Sequence, residues 1–138
     1  MFRVFNWAMA ALFGLAAVLQ LNDPDPARWM AIYGAAMLVA AYAGRRGGVP
    51  AWAPLLVAAV ALLWGLVWST DVADPGIYTR MFEQWEMRNM AVEEARETSG
   101  LLIVGGWMAV LALHGRRRRR AITSKENPSA PAAGGAGR

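Results

Sequence analysis

Four apolar stretches, separated by short polar segments, constrain the fold of this chain more than any other feature. They cover about residues 4–21, 27–43, 51–69 and 98–114. A helix of roughly 20 mostly apolar residues crosses the hydrocarbon core of a bilayer. With 57% hydrophobic and 17% charged residues, the chain is too apolar for an ordinary soluble domain of 138 residues. We therefore predict an all-α integral membrane bundle of four transmembrane helices, forming one domain over residues 1–115.

Short turns join the first three predicted spans. Asp25 and Pro26 are typical of an N-cap and the first residue of a helix, so the first two spans should form an antiparallel hairpin. The second turn runs from Arg45 to Pro50, and Pro50 can open the third span. A cleaved signal peptide is the alternative for the first stretch, but no clear Ala-x-Ala cleavage site follows its end.

The segment before the last span and the segment after it are polar. Residues 80–97 contain neither Gly nor Pro, and Met81, Phe82 and Trp85 fall close to one helical face. This pattern predicts an amphipathic interfacial helix that leads into the last span. Residues 116–138 start with five arginines and continue rich in Ala, Gly, Pro and Ser, which predicts a basic, disordered tail.

The basic residues predict the orientation of the bundle. With four spans, Arg3, Arg45, Arg46 and the five-arginine run fall on one side, and the acidic loops fall on the other. Cytoplasmic segments of membrane proteins are enriched in Lys and Arg, so both termini should be cytoplasmic. The alanine-, arginine- and glycine-rich composition suggests a bacterial source, and hence the inner membrane.

A candidate polar or ligand-binding cluster would form at the outer side. Glu93 and Glu97 are four apart on a helix, so they repel unless Arg96, a second basic residue such as Arg28, a cation or a shared proton compensates. The purely structural alternative is that these acids complement a helix N-terminus. With the first hairpin turn, the candidate residues are Asn22, Asp23, Asp25, Arg28, Glu93, Glu94, Arg96 and Glu97.

Aromatic residues lie just beneath this cluster. Trp29 and Tyr33 are four apart, as are Trp64 and Trp68. Acidic groups above such rings could bind an organic cation by charge and cation–π contact. The plainer interpretation is an interfacial aromatic belt, in which Trp29 and Trp68 take part, with Trp64 packed between helices.

Few kinds of catalytic site fit this sequence. There is no cysteine, and the only histidine, His114, is predicted at the side opposite to the acids, so we predict no catalytic residues, no cofactor and no metal centre. Oxygen ligands from Asp23, Asp25, Glu93 and Glu97 could hold a hard cation, but their spacing is not diagnostic. A run of five arginines after a last span is typical of contact with anionic lipid headgroups. The run is Arg116, Arg117, Arg118, Arg119 and Arg120. Nucleic acid is disfavoured as a partner, because no aromatic platform accompanies the arginines.

Two stretches together resemble the transmembrane protein 220 family. One runs from Gln20 to Pro26 and is followed by Trp29 and Tyr33; the other runs from Glu93 to Leu101 and is followed by Trp107. The resemblance extends over roughly residues 12–113 and leaves out the arginine-rich tail. It implies a small multi-pass membrane protein and carries over no catalytic role.

Three functions are compatible with these features. The first is a non-enzymatic membrane module that assembles or stabilises a membrane protein partner or a homo-oligomer. The second is binding or transport of a cation or cationic small molecule at the outer acidic cluster. The third is a membrane enzyme that uses paired carboxylates. The sequence favours them in this order.

Overall fold

The computed structural model describes residues 1–23, 25–69 and 90–126, and these residues are almost entirely helical. The helices are α1 (Phe2–Leu19), α2 (Pro26–Arg46), α3 (Trp52–Ser69) and α4 (Met90–Glu126). A short 3₁₀ helix, Gln20–Asn22, follows α1. No strand occurs in the described ranges, so the predicted all-α class is confirmed.

The helices form two antiparallel pairs, α1 with α2 and α3 with α4. In the first pair, Gly14 packs on Met37, and Arg3 near the start of α1 reaches Gly44 near the end of α2. In the second pair, Gly65 near the end of α3 packs on Leu101 near the start of the apolar part of α4. Helix α2 joins the pairs, because it contacts both α3 and α4.

Small side chains allow the helix axes to approach closely. The inner face of α2 carries Ala36, Ala40 and Ala43, all fully buried. Where α3 meets α4, a Cβ on Gly105 would lie 2.5 Å from the Leu62 side chain. Close approach through small residues is how helices associate in lipid, where burial of apolar surface supplies little driving force.

The outer surface is apolar along most of its length. Val4, Leu19 and Leu63 are each more than 60% exposed, and only 17% of the most apolar window of α1 is buried. A soluble monomer rarely exposes apolar surface of this extent. By length and composition, two of the described helices could cross a membrane, Phe2–Asn22 and Arg96–Ala121. Trp52–Val67 is apolar but shorter.

The last helix is longer than the predicted span of residues 98–114. Residues 90–97 are continuous with the last span in α4, and the rest of the predicted interfacial helix, 80–89, lies outside the described residues. The tail is not disordered from residue 116, because α4 continues through the arginines to Glu126. Arginine, alanine and lysine are good helix formers, and no Gly or Pro occurs between Gly115 and Pro128. Residues 127–138 lie outside the described ranges.

The two ends of the bundle differ in charge. The acidic end comprises residues 20–23 and 25–28, the end of α3 and the start of α4 up to Leu101, and it holds every Asp and Glu of the described ranges except Glu126. The basic end comprises residues 1–3, 44–50 and 114–120. This distribution of charge is the one that the sequence predicts for a bundle of four antiparallel helices.

Candidate functional site

The turn between α1 and α2 is held by its own polar groups. The backbone N–H of Asp23 donates to the Gln20 carbonyl at 3.1 Å, and that of Asp25 donates to the Asp23 carboxylate at 2.9 Å. Asp25 takes the N-cap position of α2, as predicted, but its side chain makes no capping hydrogen bond. Its carboxylate instead pairs with the Arg28 guanidinium at 3.0 Å. Both aspartates are therefore engaged in local structure.

The guanidinium of Arg28 lies beside the aromatic rings, at the position where the cation-binding hypothesis would place an organic cation. Its guanidinium carbon is 5.7 Å from the centre of the Trp29 ring and 5.9 Å from that of Trp64. Both distances fall within the range of cation–π attraction, which is about 6 Å. Arg28 is thus a cation of the chain itself that contacts one carboxylate and two indole rings.

The aromatic residues form a contact between helices. Trp29 and Trp64 stack with ring centres 4.7 Å apart, and Tyr33 lies one turn further along α2, 6.3 Å from Trp29. Trp29 is fully buried, so the prediction that it belongs to an interfacial belt is wrong. Its place on the inner face of α2, above Ile32 and Ala36, takes it away from the lipid. The Trp68 side chain lies outside the described side chains.

Tyr33 also joins the two sequence stretches that the resemblance depends on. Its hydroxyl lies directly against Gly100 of α4, so closely that a Cβ at position 100 would overlap it. Glu97, one turn before Gly100, is near enough to act electrostatically on the same side chain. The first stretch and the second therefore lie at one end of the bundle, linked by the contact of Tyr33 with Gly100.

The candidate acids on α4 are only partly described. Glu93 and Glu94 lie in the first two turns of the described helix, but their side chains are outside the described set. Arg96 and Glu97 are half-buried and engaged in interactions. Among the described residues, no group of three or more His, Asp or Glu side chains could hold a metal ion. Asn22 is exposed at the end of the 3₁₀ helix.

Buried polar atoms without partners are a feature that the sequence does not predict. Thr98 and Asn6 are almost completely buried, and neither the Thr98 hydroxyl nor the Asn6 amide has a hydrogen-bond partner within the described ranges. The same holds for the indole nitrogens of Trp29 and Trp107. Asn6 belongs to the inner face of α1 with Ala10 and Phe13, spaced by four and three residues. That spacing was the only signal in the sequence that could have identified it as buried.

The basic end is held mainly by arginines that cap backbone carbonyls. The Arg3 guanidinium donates to the carbonyls of Gly44 and Arg45 at 2.9 and 2.8 Å, which caps the C-terminus of α2. Arg118 donates to the Gly47 carbonyl at 2.6 Å. The His114 ring stacks on Phe2 with centres 4.0 Å apart. His114 therefore lies at the end opposite to the candidate acids, as the sequence predicts.

Comparison with known proteins identifies a family of transmembrane proteins. The model of a family described as "Transmembrane family 220, helix" matches residues 12–113. The chain belongs to this family. The transmembrane protein 220 of Xenopus laevis is 30% identical over 118 residues, which is 78% of this chain and 56% of that protein. The chain thus spans about half the length of this relative. No solved structure matches this chain. The protein is a membrane protein, and its environment is the lipid bilayer.

Proposed function

We propose that this protein crosses the membrane four times and serves, without catalysis, to assemble or stabilise a partner membrane protein. The contact surface would be the acidic end, with residues 20–28 and 93–97 facing the partner. In this arrangement both termini are cytoplasmic, in a bacterial inner membrane, and the arginines of α4 lie among anionic headgroups. The observation that carries the proposal is the convergence of the two stretches at one end, where Tyr33 meets Gly100, with Trp29 and Tyr33 buried and Asp25 exposed.

At the acidic end the aromatic residues are buried between helices and a charged pair is exposed, which favours a contact surface over a ligand pocket. Tyr33 packs against Gly100 and so joins α2 to α4, whereas Trp29 stacks on Trp64 and so joins α2 to α3. The position suited to an organic cation is filled by Arg28, which is tied to Asp25. The exposed part of the pair, with the Asp25 side chain at 63% exposure, is available to a charged surface on another protein.

Placement in the membrane can be tested directly, because the chain contains no cysteine. Single cysteines at Asn22 and at Gly48 would be labelled with a membrane-impermeant maleimide in intact cells. We expect Asn22→Cys to react from outside and Gly48→Cys to react only after the membrane is opened. Labelling of both from outside would rule out the antiparallel spans that the proposal requires.

Assembly can be tested by native mass spectrometry of protein released gently from its own membrane. We expect a partner protein at fixed stoichiometry, lost in Asp25→Lys and retained in Arg117→Glu, a charge reversal of equal size at an exposed position of the basic end. Binding of a small cation in place of a protein, lost in Glu97→Gln, would instead support the cation-binding alternative. A bare monomer in every preparation would contradict both.

A further inference from the structure

A cleft at the basic end is the cavity of the described residues whose lining most clearly suggests a ligand. It lies between the α2–α3 turn and α4, and its volume is about 300 Å³. Arg118, Arg119 and Tyr42 supply its polar side chains, and the turn supplies the backbone of Gly48. Val49 and Pro50 form an apolar wall. We propose that this cleft binds a phosphate group, and that in the membrane this is the phosphate of an anionic lipid headgroup.

The cleft is preorganised by tight contacts between α4 and the turn. A Cβ on Gly115 would lie 2.8 Å from the Val49 carbonyl oxygen, so the helix runs directly over the turn. Gly47 adopts a left-handed backbone conformation (φ 71°), and Arg118 donates to its carbonyl. Because α4 remains helical beyond Gly115, residues 118 and 119 lie one turn later on the same side of the helix. The two arginines therefore face the turn by virtue of the helix itself.

The charge around the cleft favours an anion strongly. Asp and Glu are absent from residues 1–22, 26–69 and 98–125, whereas Arg3, Arg45 and Arg46 join the five-arginine run at this end. A guanidinium presents five N–H donors in a planar fork that matches phosphate oxygens. Arg118 gives one amino group to the Gly47 carbonyl, which fixes its orientation and leaves other donors. Arg119 is exposed and completes the pair.

The position of the cleft favours a lipid over a free phosphate. Two exposed tryptophans, Trp7 and Trp52, lie near this end of α1 and α3, at 53% and 70% exposure. Exposed indole rings of this kind concentrate at the level of lipid headgroups. Val49 and Pro50 would then contact the glycerol and upper acyl chains of the bound lipid. This step rests on the proposed membrane placement, whereas the phosphate site itself does not.

The arginine run provides matched variants for a test. The purified full-length protein in detergent micelles is titrated with short-chain phosphatidylglycerol, and bound lipid is counted by native mass spectrometry. Arg119→Gln and Arg120→Gln each remove one exposed charge, but only Arg119 lines the cleft. We expect one lipid to be bound, with affinity reduced about tenfold in Arg119→Gln and less than about twofold in Arg120→Gln. Tyr42→Phe, which removes only a hydroxyl, should weaken binding by a smaller factor.

Two further comparisons distinguish a lipid phosphate from free phosphate, and a defined cleft from diffuse charge attraction. Phosphatidylcholine, whose headgroup carries no net charge, should not compete; displacement by millimolar inorganic phosphate would reassign the site to free phosphate. Equal losses in Arg119→Gln and Arg120→Gln would mean diffuse charge attraction and would overturn the cleft. The cysteine-labelling pattern decides the membrane placement independently of all these outcomes.

Discussion

The two ends of the bundle are stabilised in different ways. At the acidic end, side chains meet side chains: Trp29 stacks on Trp64, and Arg28 lies over both rings. At the basic end, apart from the stack of His114 on Phe2, the contacts are mainly to the backbone: arginines cap carbonyls, and Gly115 lies against the Val49 carbonyl. Side-chain contacts can be removed or compensated one at a time, whereas a backbone contact can only shift with the helix. The ends should therefore respond differently to substitution.

The largest contrast should come from two tryptophans that both lie near a helix terminus. Trp29 at the acidic end is fully buried, whereas Trp52 at the basic end is 70% exposed. We expect Trp29→Ala to lower the free energy of unfolding by about 3 kcal/mol or more, because it removes a packed ring. Trp52→Ala should cost less than about 0.5 kcal/mol.

Unfolding can be followed in a common background. Val104 is fully buried, so a single Val104→Cys in this cysteine-free chain reports unfolding through maleimide labelling during titration with SDS. Equal costs for Trp29→Ala and Trp52→Ala would mean that the stacked pair does not support the fold.

The next largest effect should come from Gly115→Ala at the basic end. The added Cβ would meet the Val49 carbonyl oxygen at 2.8 Å, and the nearest other atoms are also backbone, in Ala51. Since no flexible side chain can yield, α4 must move away from the turn, at a cost of about 2–3 kcal/mol. The same SDS titration measures it. No second substitution of a single side chain should restore the loss.

Gly100→Ala at the acidic end should lower the free energy of unfolding by a smaller amount, which a second substitution should partly restore. Here the added Cβ meets a side chain, the Tyr33 hydroxyl and ring. We expect about 1–2 kcal/mol of destabilisation, because the ring can turn aside at some cost. Tyr33→Phe removes the hydroxyl and should recover part of the loss in the double variant, as a double-mutant cycle would show.

Gly106 gives the control for both glycines. A Cβ there meets no atom within 4 Å, so Gly106→Ala should be neutral or slightly stabilising in a helix. If the Gly100→Ala, Tyr33→Phe double variant lost as much free energy of unfolding as Gly100→Ala alone, the contact at Gly100 could not be relieved by changing a side chain. The two ends would then not differ in how they respond to an added Cβ.

The sequence was sufficient for features that depend on periodicity and charge. Apolar runs and proline turns predicted the helices, and the distribution of Arg against Asp and Glu predicted which ends lie together. The apolar runs are bounded by Asp25 and Pro26 at the start of α2 and by Pro50 before α3. A pattern of this kind reflects local geometry, which the chain expresses without reference to its neighbours.

The sequence was insufficient where the outcome depends on which surfaces meet. A tryptophan near a helix end is equally suited to a lipid interface and to a stack between helices, and only the crossing of α2 and α3 decides for Trp29. Arg28 looked like a counter-charge for distant acids, but it is bound to Asp25, three residues away. The arginine run gave no sign that only Arg118 and Arg119 would line a cleft, because that depends on the contact of Gly115 with the turn.

The smallest effect tests the charges of the acidic end. Arg28 and Asp25 form an exposed pair, with side chains 40% and 63% accessible, so solvent screens their attraction. We expect Asp25→Asn to cost less than about 0.5 kcal/mol and Arg28→Gln less than about 1 kcal/mol, since the second also removes the contacts with Trp29 and Trp64. Salt at 1 M should diminish the ion-pair part alone, because a cation–π contact between packed groups is screened less. Equal losses in the two variants, both abolished by salt, would show that the rings contribute nothing to holding Arg28. The guanidinium would then be free to leave for a ligand, and the cation-binding alternative would regain the position that Arg28 fills.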